Sequence, residues 1–153
     1  LLSQMGFETT NYNYDLDLSI HDNDHVAYTV GKKEINHNGE KYVIYCVPVK
    51  GTSGNAEWFS DFNLGTGANH EGFYKAANEI LDTLYETFDS DGCDDINHRI
   101  IWLSGHSRGA AVANVVAGLL SESGQYAPTS NIFAYSYACP TVSKNANTNL
   151  ITT

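Results

Sequence analysis

The chain has 153 residues, with 8 Lys plus Arg against 18 Asp plus Glu, a formal net charge of −10 and a pI near 4.8. That acidity argues against nucleic-acid binding and against adsorption to anionic membranes, both of which need a basic patch. A hydrophobic content of 42% with 12% aromatics argues against disorder, and no apolar run approaches the roughly 20 residues of a membrane span.

One domain of this length can bury a core without disulfide staples. No basic-then-apolar leader opens the chain. Its start at Leu1-Leu2-Ser3 without a Met points to removal of an upstream segment. Residues 1–24 are polar, with a tandem Asn11-Tyr12-Asn13-Tyr14. They read as an N-terminal appendage with a short helix near 1–5, leaving 25–153 as the domain. Residues 25–30 alternate and end at Gly31, as a strand does. Residues 41–49 (KYVIYCVPV) are dense in Tyr, Val and Ile, the signature of a buried strand. Asn38-Gly39 between them predicts a hairpin turn. A loop over 51–69 carries four of the thirteen glycines. Residues 71–88 then place Phe73, Ala76, Ala77, Ile80, Leu81, Leu84 and Phe88 at spacings of three and four, which is the helical period. An acidic loop, 89–95, leads to a short buried strand at 99–103 (RIIWL). Residues 108–120 are apolar on every side and predict a buried helix. Residues 131–138 (NIFAYSYA) predict a last strand, stopped by Pro140. The order β, β, α, β, α, β predicts an α/β fold with a mostly parallel sheet flanked by helices.

Cys46 and Cys139 lie in apolar runs and read as small buried side chains. Cys93 lies in a polar loop and reads as exposed. No C-x-x-C occurs, so neither a disulfide scaffold nor a zinc site is expected.

Chemistry concentrates at Gly105-His106-Ser107-Arg108-Gly109, a G-x-S-x-G pentapeptide. By composition alone such a match turns up in roughly one chain in twenty of this length, so the context must carry the weight. A buried strand ends immediately before the motif and a buried helix begins at Arg108. That is the strand–turn–helix setting of a nucleophile elbow. Gly105 and Gly109 leave room in a turn too tight for flanking side chains. The hydroxyl of Ser107 stands at the tip, and the following helix aims its N–H groups and positive dipole end at a reacting carbonyl. Arg108 N–H is one natural oxyanion donor. The competing reading is a glycine-rich helix entry with Ser107 as an N-cap. Upstream, 41–49 runs into Lys50-Gly51-Thr52-Ser53. A loop leaving a strand beside the nucleophile strand is where a second oxyanion N–H belongs, and Thr52 would supply it.

Five blocks in order, Lys50-Gly51-Thr52, Trp58-Phe59-Ser60-Asp61, His70-Glu71-Gly72-Phe73, Gly105 to Gly109 and Tyr137 to Pro140, resemble the class 3 lipase family of α/β-hydrolases. The resemblance runs from about residue 25 to the end, with Lys50 in place of the usual Arg. It implies esterase or lipase activity with no metal and no cofactor, Ser107 as nucleophile, and Thr52 and Arg108 as oxyanion donors. Lipid esters are the implied substrates, and secretion is common in such a family.

An activated serine also needs a base and an acid that orients it, in this fold in the order Ser, Asp or Glu, His. After Ser107 the sole carboxylate is Glu122 and there is no histidine. No catalytic acid or base is therefore expected in this chain, which reads as the N-terminal part of a hydrolase domain. The edge of the 131–138 strand, with Ile132, Phe133, Tyr135 and Tyr137, would then be open and favour a homo-oligomer. His106 is expected to pack under the turn, His70 to anchor the helix entry, His98 to lie on the surface and Asp61 to brace its loop. Asp89, Asp91, Asp94 and Asp95 read as a solvated acidic turn, since the EF-hand spacing is missing. His21/Asp22 and Asp24/His25 lack a metal-ligand spacing. Two other functions share these residues: an inactive binding domain that keeps the fold, and a thioesterase or peptidase on the same elbow.

Overall fold

The computed structural model describes residues 1–12, 26–51, 71–93 and 95–140. In chain order the elements are β1 (Glu8–Tyr12), β2 (Thr29–His37), β3 (Glu40–Val49), α1 (Glu71–Ser90), β4 (Arg99–His106), α2 (Arg108–Ser123) and β5 (Ile132–Tyr137). The five strands form one sheet in the order β1-β2-β3-β4-β5. The α/β layer architecture is present, and the sheet is mixed. β3 pairs parallel with β4, and β4 with β5, while β1/β2 and β2/β3 pair antiparallel. Parallel neighbours need a crossover of a dozen or more residues. The chain between β3 and β4 contains α1, and that between β4 and β5 contains α2. The antiparallel hairpin turns at Asn38 and Gly39, with φ of 54° and 86°, the double positive φ that a two-residue type I′ loop demands.

Strand alternation puts Val43, Tyr45, Val47 and Val49 on one face of the sheet with Ile101, Leu103 and Ile132. Both helices cover that face. α1 buries the stripe from Phe73 to Phe88 that its periodicity predicts. α2 buries ten of its residues, including Ala110, Ala111, Val112, Val115 and Val116. Full burial of each Val, Leu or Ile contributes roughly 1.5–3 kcal/mol. Polar bonds then fix how α1 sits: Tyr28 Oη and Thr83 Oγ1 share a hydrogen bond of 2.6 Å, and the Phe88 ring meets Tyr45 edge-on at 4.8 Å.

Four features differ from the sequence expectation. The second strand starts at Thr29 and runs on to His37, with Gly31 inside it opposite Cys46. Gly31 is an interior position because Leu2 and Phe7 pack over it, 3.2 and 3.3 Å from where a Cβ would sit. The N-terminal stretch contributes, besides the 3-10 turn at Ser3–Met5, the edge strand β1. Asp91 is not solvated. Its side chain is 1% exposed and lies 3.6 Å from Nη2 of the equally buried Arg99, which donates to the carbonyls of Tyr126 and Cys93 and sits over the Phe88 ring at 4.4 Å. Ile132, expected open, is buried, while Phe133, Tyr135 and Tyr137 stand 44%, 39% and 61% exposed as expected, on the face away from α1 and α2.

Candidate active site

β4 runs through Gly105 and His106 and the backbone turns at Ser107 into α2. Ser107 has φ 55° and ψ −123°. A non-glycine residue held there carries about 1–3 kcal/mol of strain, so the surroundings must fix it. They do so with backbone groups. Ser107 N–H donates to the Tyr137 carbonyl at the end of β5, 2.8 Å away, and the Ser107 carbonyl accepts from Ala110 and Ala111 N–H at 3.0 and 3.2 Å. The Ser107 side chain makes no capping hydrogen bond to the helix, which removes the N-cap reading and leaves the hydroxyl at the tip of the turn.

The motif glycines are explained by contact. A Cβ on Gly105 would collide with the Gly109 carbonyl and come within 2.6 Å of Ala110 N. A Cβ on Gly109 would collide with the Val49 carbonyl. The first turn of α2 is thus pressed against the end of β3 as well as against β4. β3 leaves the sheet at the same end, since Val49 pairs with Gly105. The chain then crosses the elbow: a Cβ on Gly51 would lie 2.5 Å from the His106 carbonyl. This closeness is what an oxyanion donor just after Gly51 requires. Thr52 itself lies outside the described residues, as do His70 and Asp61.

Arg108 occupies the first position of α2, where the helix supplies no acceptor for its N–H, and its side chain is buried. No acidic residue occupies the first turn of α2, so the helix's own first turn leaves the positive end of its dipole uncancelled. Glu122 lies in the last turn of α2, fifteen residues from Ser107 and about 22 Å along the axis at 1.5 Å per residue. His106 is exposed rather than packed under the turn. It alternates with Gly105 onto the helix-free face, where no described element covers it. His98, in the 3-10 turn before β4, lies 3.4 Å from Glu40 and 3.5 Å from Asp95, and the Asn97 amide holds the Asp95 carboxyl below its usual range. His21, Asp22, Asp24, His25 and Asp94 lie outside the described residues.

Cys46 is buried, and burial pushes its thiol up to about 11. Cys93 is half-buried against the core. Cys139, expected inside, is exposed because β5 has already ended at Tyr137. The residue types gave no sign of Ser136 or Asn114, nor of the bond from Ser107 N–H to the Tyr137 carbonyl. Ser136 Oγ donates to Asn114 Oδ1 at 2.7 Å and reaches the Ala110 carbonyl at 3.4 Å, and Asn114 Nδ2 donates to Cys139 Sγ at 3.1 Å. A carbonyl bond and a helix–strand clamp have no residue-type signature.

A family model described as lipase (class 3) matches residues 46–153. No curated protein sequence matches the chain. Among solved structures it is similar to the triacylglyceride lipase of Rhizomucor miehei at 20% identity, covering 85% of this chain and 47% of that one with a TM-score of 0.54. The lipase of Rhizopus microsporus var. chinensis matches at 19%, covering 78% and 43%, with a TM-score of 0.54. A triacylglycerol lipase whose catalytic centre is described as a serine protease triad matches at 20%, covering 85% and 47%, again with a TM-score of 0.54. The chain spans a little under half the length of these structures.

Proposed function

Because this chain belongs to the class 3 lipase family, we propose that Ser107 is the nucleophile of a serine hydrolase that cleaves carboxylic esters of the acylglycerol type. The observation that carries this reading is the positive φ of Ser107 at the β4–α2 turn, with its side chain uncommitted to capping the helix. Ser107 Oγ attacks the ester carbonyl carbon and gives its proton to a base. The tetrahedral oxyanion is held by Arg108 N–H and by Thr52 N–H. Collapse expels the alcohol and leaves an acyl group on Oγ, which water then removes. The base and its orienting acid are not supplied by residues 1–153, which have no histidine after Ser107 and only Glu122 as a carboxylate there. An ester or lipid is the partner this site takes; a net charge of −10 gives nucleic acid no electrostatic footprint.

Chemical rescue tests both halves of the proposal. Without an added base, chain 1–153 should hydrolyse p-nitrophenyl butyrate at most at the residual rate left when a triad member is missing, roughly a thousandfold or more above water. Added imidazole should raise the rate in the native chain beyond its effect on Ser107→Ala. Equal imidazole dependence in the two proteins would remove Ser107 as nucleophile. A fast Ser107-dependent rate without imidazole would place a base within the chain.

A further inference from the structure

We propose that Ser136 and Asn114 are positioning residues for Ser107, acting through the Tyr137 carbonyl; the role rests on the reading of Ser107 as nucleophile, while the geometry it controls does not. Ser107 is held on its β5 side by one backbone bond, its N–H to Tyr137 O at 2.8 Å. The place of that carbonyl depends on how β5 lies on α2. Along the helix-facing side of β5 the side chains shrink toward the elbow, from Ile132 through Ala134 to Ser136, which lets the first turns of α2 come close. At the narrowest point apolar packing gives way to a directed bond. Ser136, which pairs across the ladder with Gly105, donates to Asn114 Oδ1 at 2.7 Å and touches the Ala110 carbonyl at 3.4 Å. Ala110 and Asn114 are one helical turn apart, so the hydroxyl is fixed along the axis of α2 as well as across it. Asn114 then reaches past β5 to Cys139 Sγ at 3.1 Å. The residue whose carbonyl accepts from Ser107 thus lies between two anchors on the same asparagine. A short-range polar clamp sets register more sharply than the non-directional contacts around it.

The test reads the Ser107 amide directly, by hydrogen exchange resolved by NMR on chain 1–153, alongside thermal unfolding. Ser136→Ala and Asn114→Leu should each speed exchange at Ser107 N–H by about tenfold, the scale of one intramolecular hydrogen bond. Amides in the middle of the β4–β5 ladder, such as Leu103, should keep their protection. Ser136→Thr, which retains the hydroxyl, should restore slow exchange at Ser107. Asn114→Asp separates the anchors: it keeps an acceptor for Ser136 and loses the donor to Cys139, and it should stay closer to native than Asn114→Leu. Uniform loss of protection across β4, β5 and Ser107 in step with melting would reduce the pair to general stability and overturn the proposal. So would unchanged Ser107 exchange in both Ser136→Ala and Asn114→Leu. These readings stand whether or not Ser107 reacts with an ester, so failure of the clamp and failure of the hydrolase assignment are distinguishable.

Discussion

Ser107 is the residue where a local rule is broken. Its conformation, φ 55° with ψ −123°, suits glycine and strains everything else. Ser107→Gly should therefore be more stable than Ser107→Ala by about 1 kcal/mol, measured by urea unfolding, even though both remove the hydroxyl. Equal stabilities would mean that the turn relaxes without cost. Gly109 makes the opposite case. Helix propensity alone would have Gly109→Ala stabilise α2 by about 1 kcal/mol. The Val49 carbonyl in the way of its Cβ predicts destabilisation by about 2–3 kcal/mol, and the sign of the measured change decides. A third residue prediction concerns Cys46. With a thiol near 11 only about one part in a thousand is thiolate at pH 8, and the thiolate is the reacting form. Cys46 should resist a disulfide reagent in the folded chain at pH 8 and react on unfolding, with the folded rate rising about tenfold per pH unit up to about pH 11. Prompt labelling at pH 8 without unfolding would contradict its burial. At this scale the sequence was informative where chemistry restricts residue type, as at Ser107 and its glycines. It was silent where any residue could serve. Ala138 takes a φ of 50° with nothing in its type to announce it.

Elements were legible where a single period dominated. The stripe of α1 and the predominantly apolar run of α2 have no competing reading, and Asn38-Gly39 allowed one turn type. β1 was not legible, because a polar edge strand buries too little to alternate. Its existence depends on β2 offering an unpaired edge, which is a tertiary fact. The acidic 89–95 stretch misled for a related reason: burial of Asp91 follows from Arg99, which opens β4 and needs a counter-ion where Phe88 and Tyr126 exclude water. Arg99→Met should cost about 3 kcal/mol, since it strands a buried carboxylate. Adding Asp91→Leu to it should recover much of that loss. A double variant as unstable as Arg99→Met would show that shape rather than charge governs this corner of the sheet.

At the scale of the molecule, α1 and α2 share one face of the sheet, and among the described residues the other face is only partly covered. On that other face Trp102 meets Tyr135 edge-on at 6.1 Å. Beside the N-terminal turn a cavity of about 430 Å³ is floored by Cys46, Pro48 and Trp102. With Phe133 and Tyr137 also exposed, the described surface is apolar enough to recruit a partner, and β5 has no neighbour on its outer side among the described strands. Light scattering should find chain 1–153 as a dimer or larger, and Tyr135→Lys should shift it toward monomer; a native monomer would show that this face is covered. Under the proposed function Ser107 is the residue that takes the acyl group, whatever supplies the base. Intact-mass and peptide mass spectrometry after exposure to an alkyl fluorophosphonate at pH 9, where hydroxide substitutes for an enzyme base, tests it most directly. One adduct is expected, on the peptide holding Ser107 and absent from Ser107→Ala. Adducts spread over other serines such as Ser104 and Ser136, or an undiminished single adduct in Ser107→Ala, would contradict it.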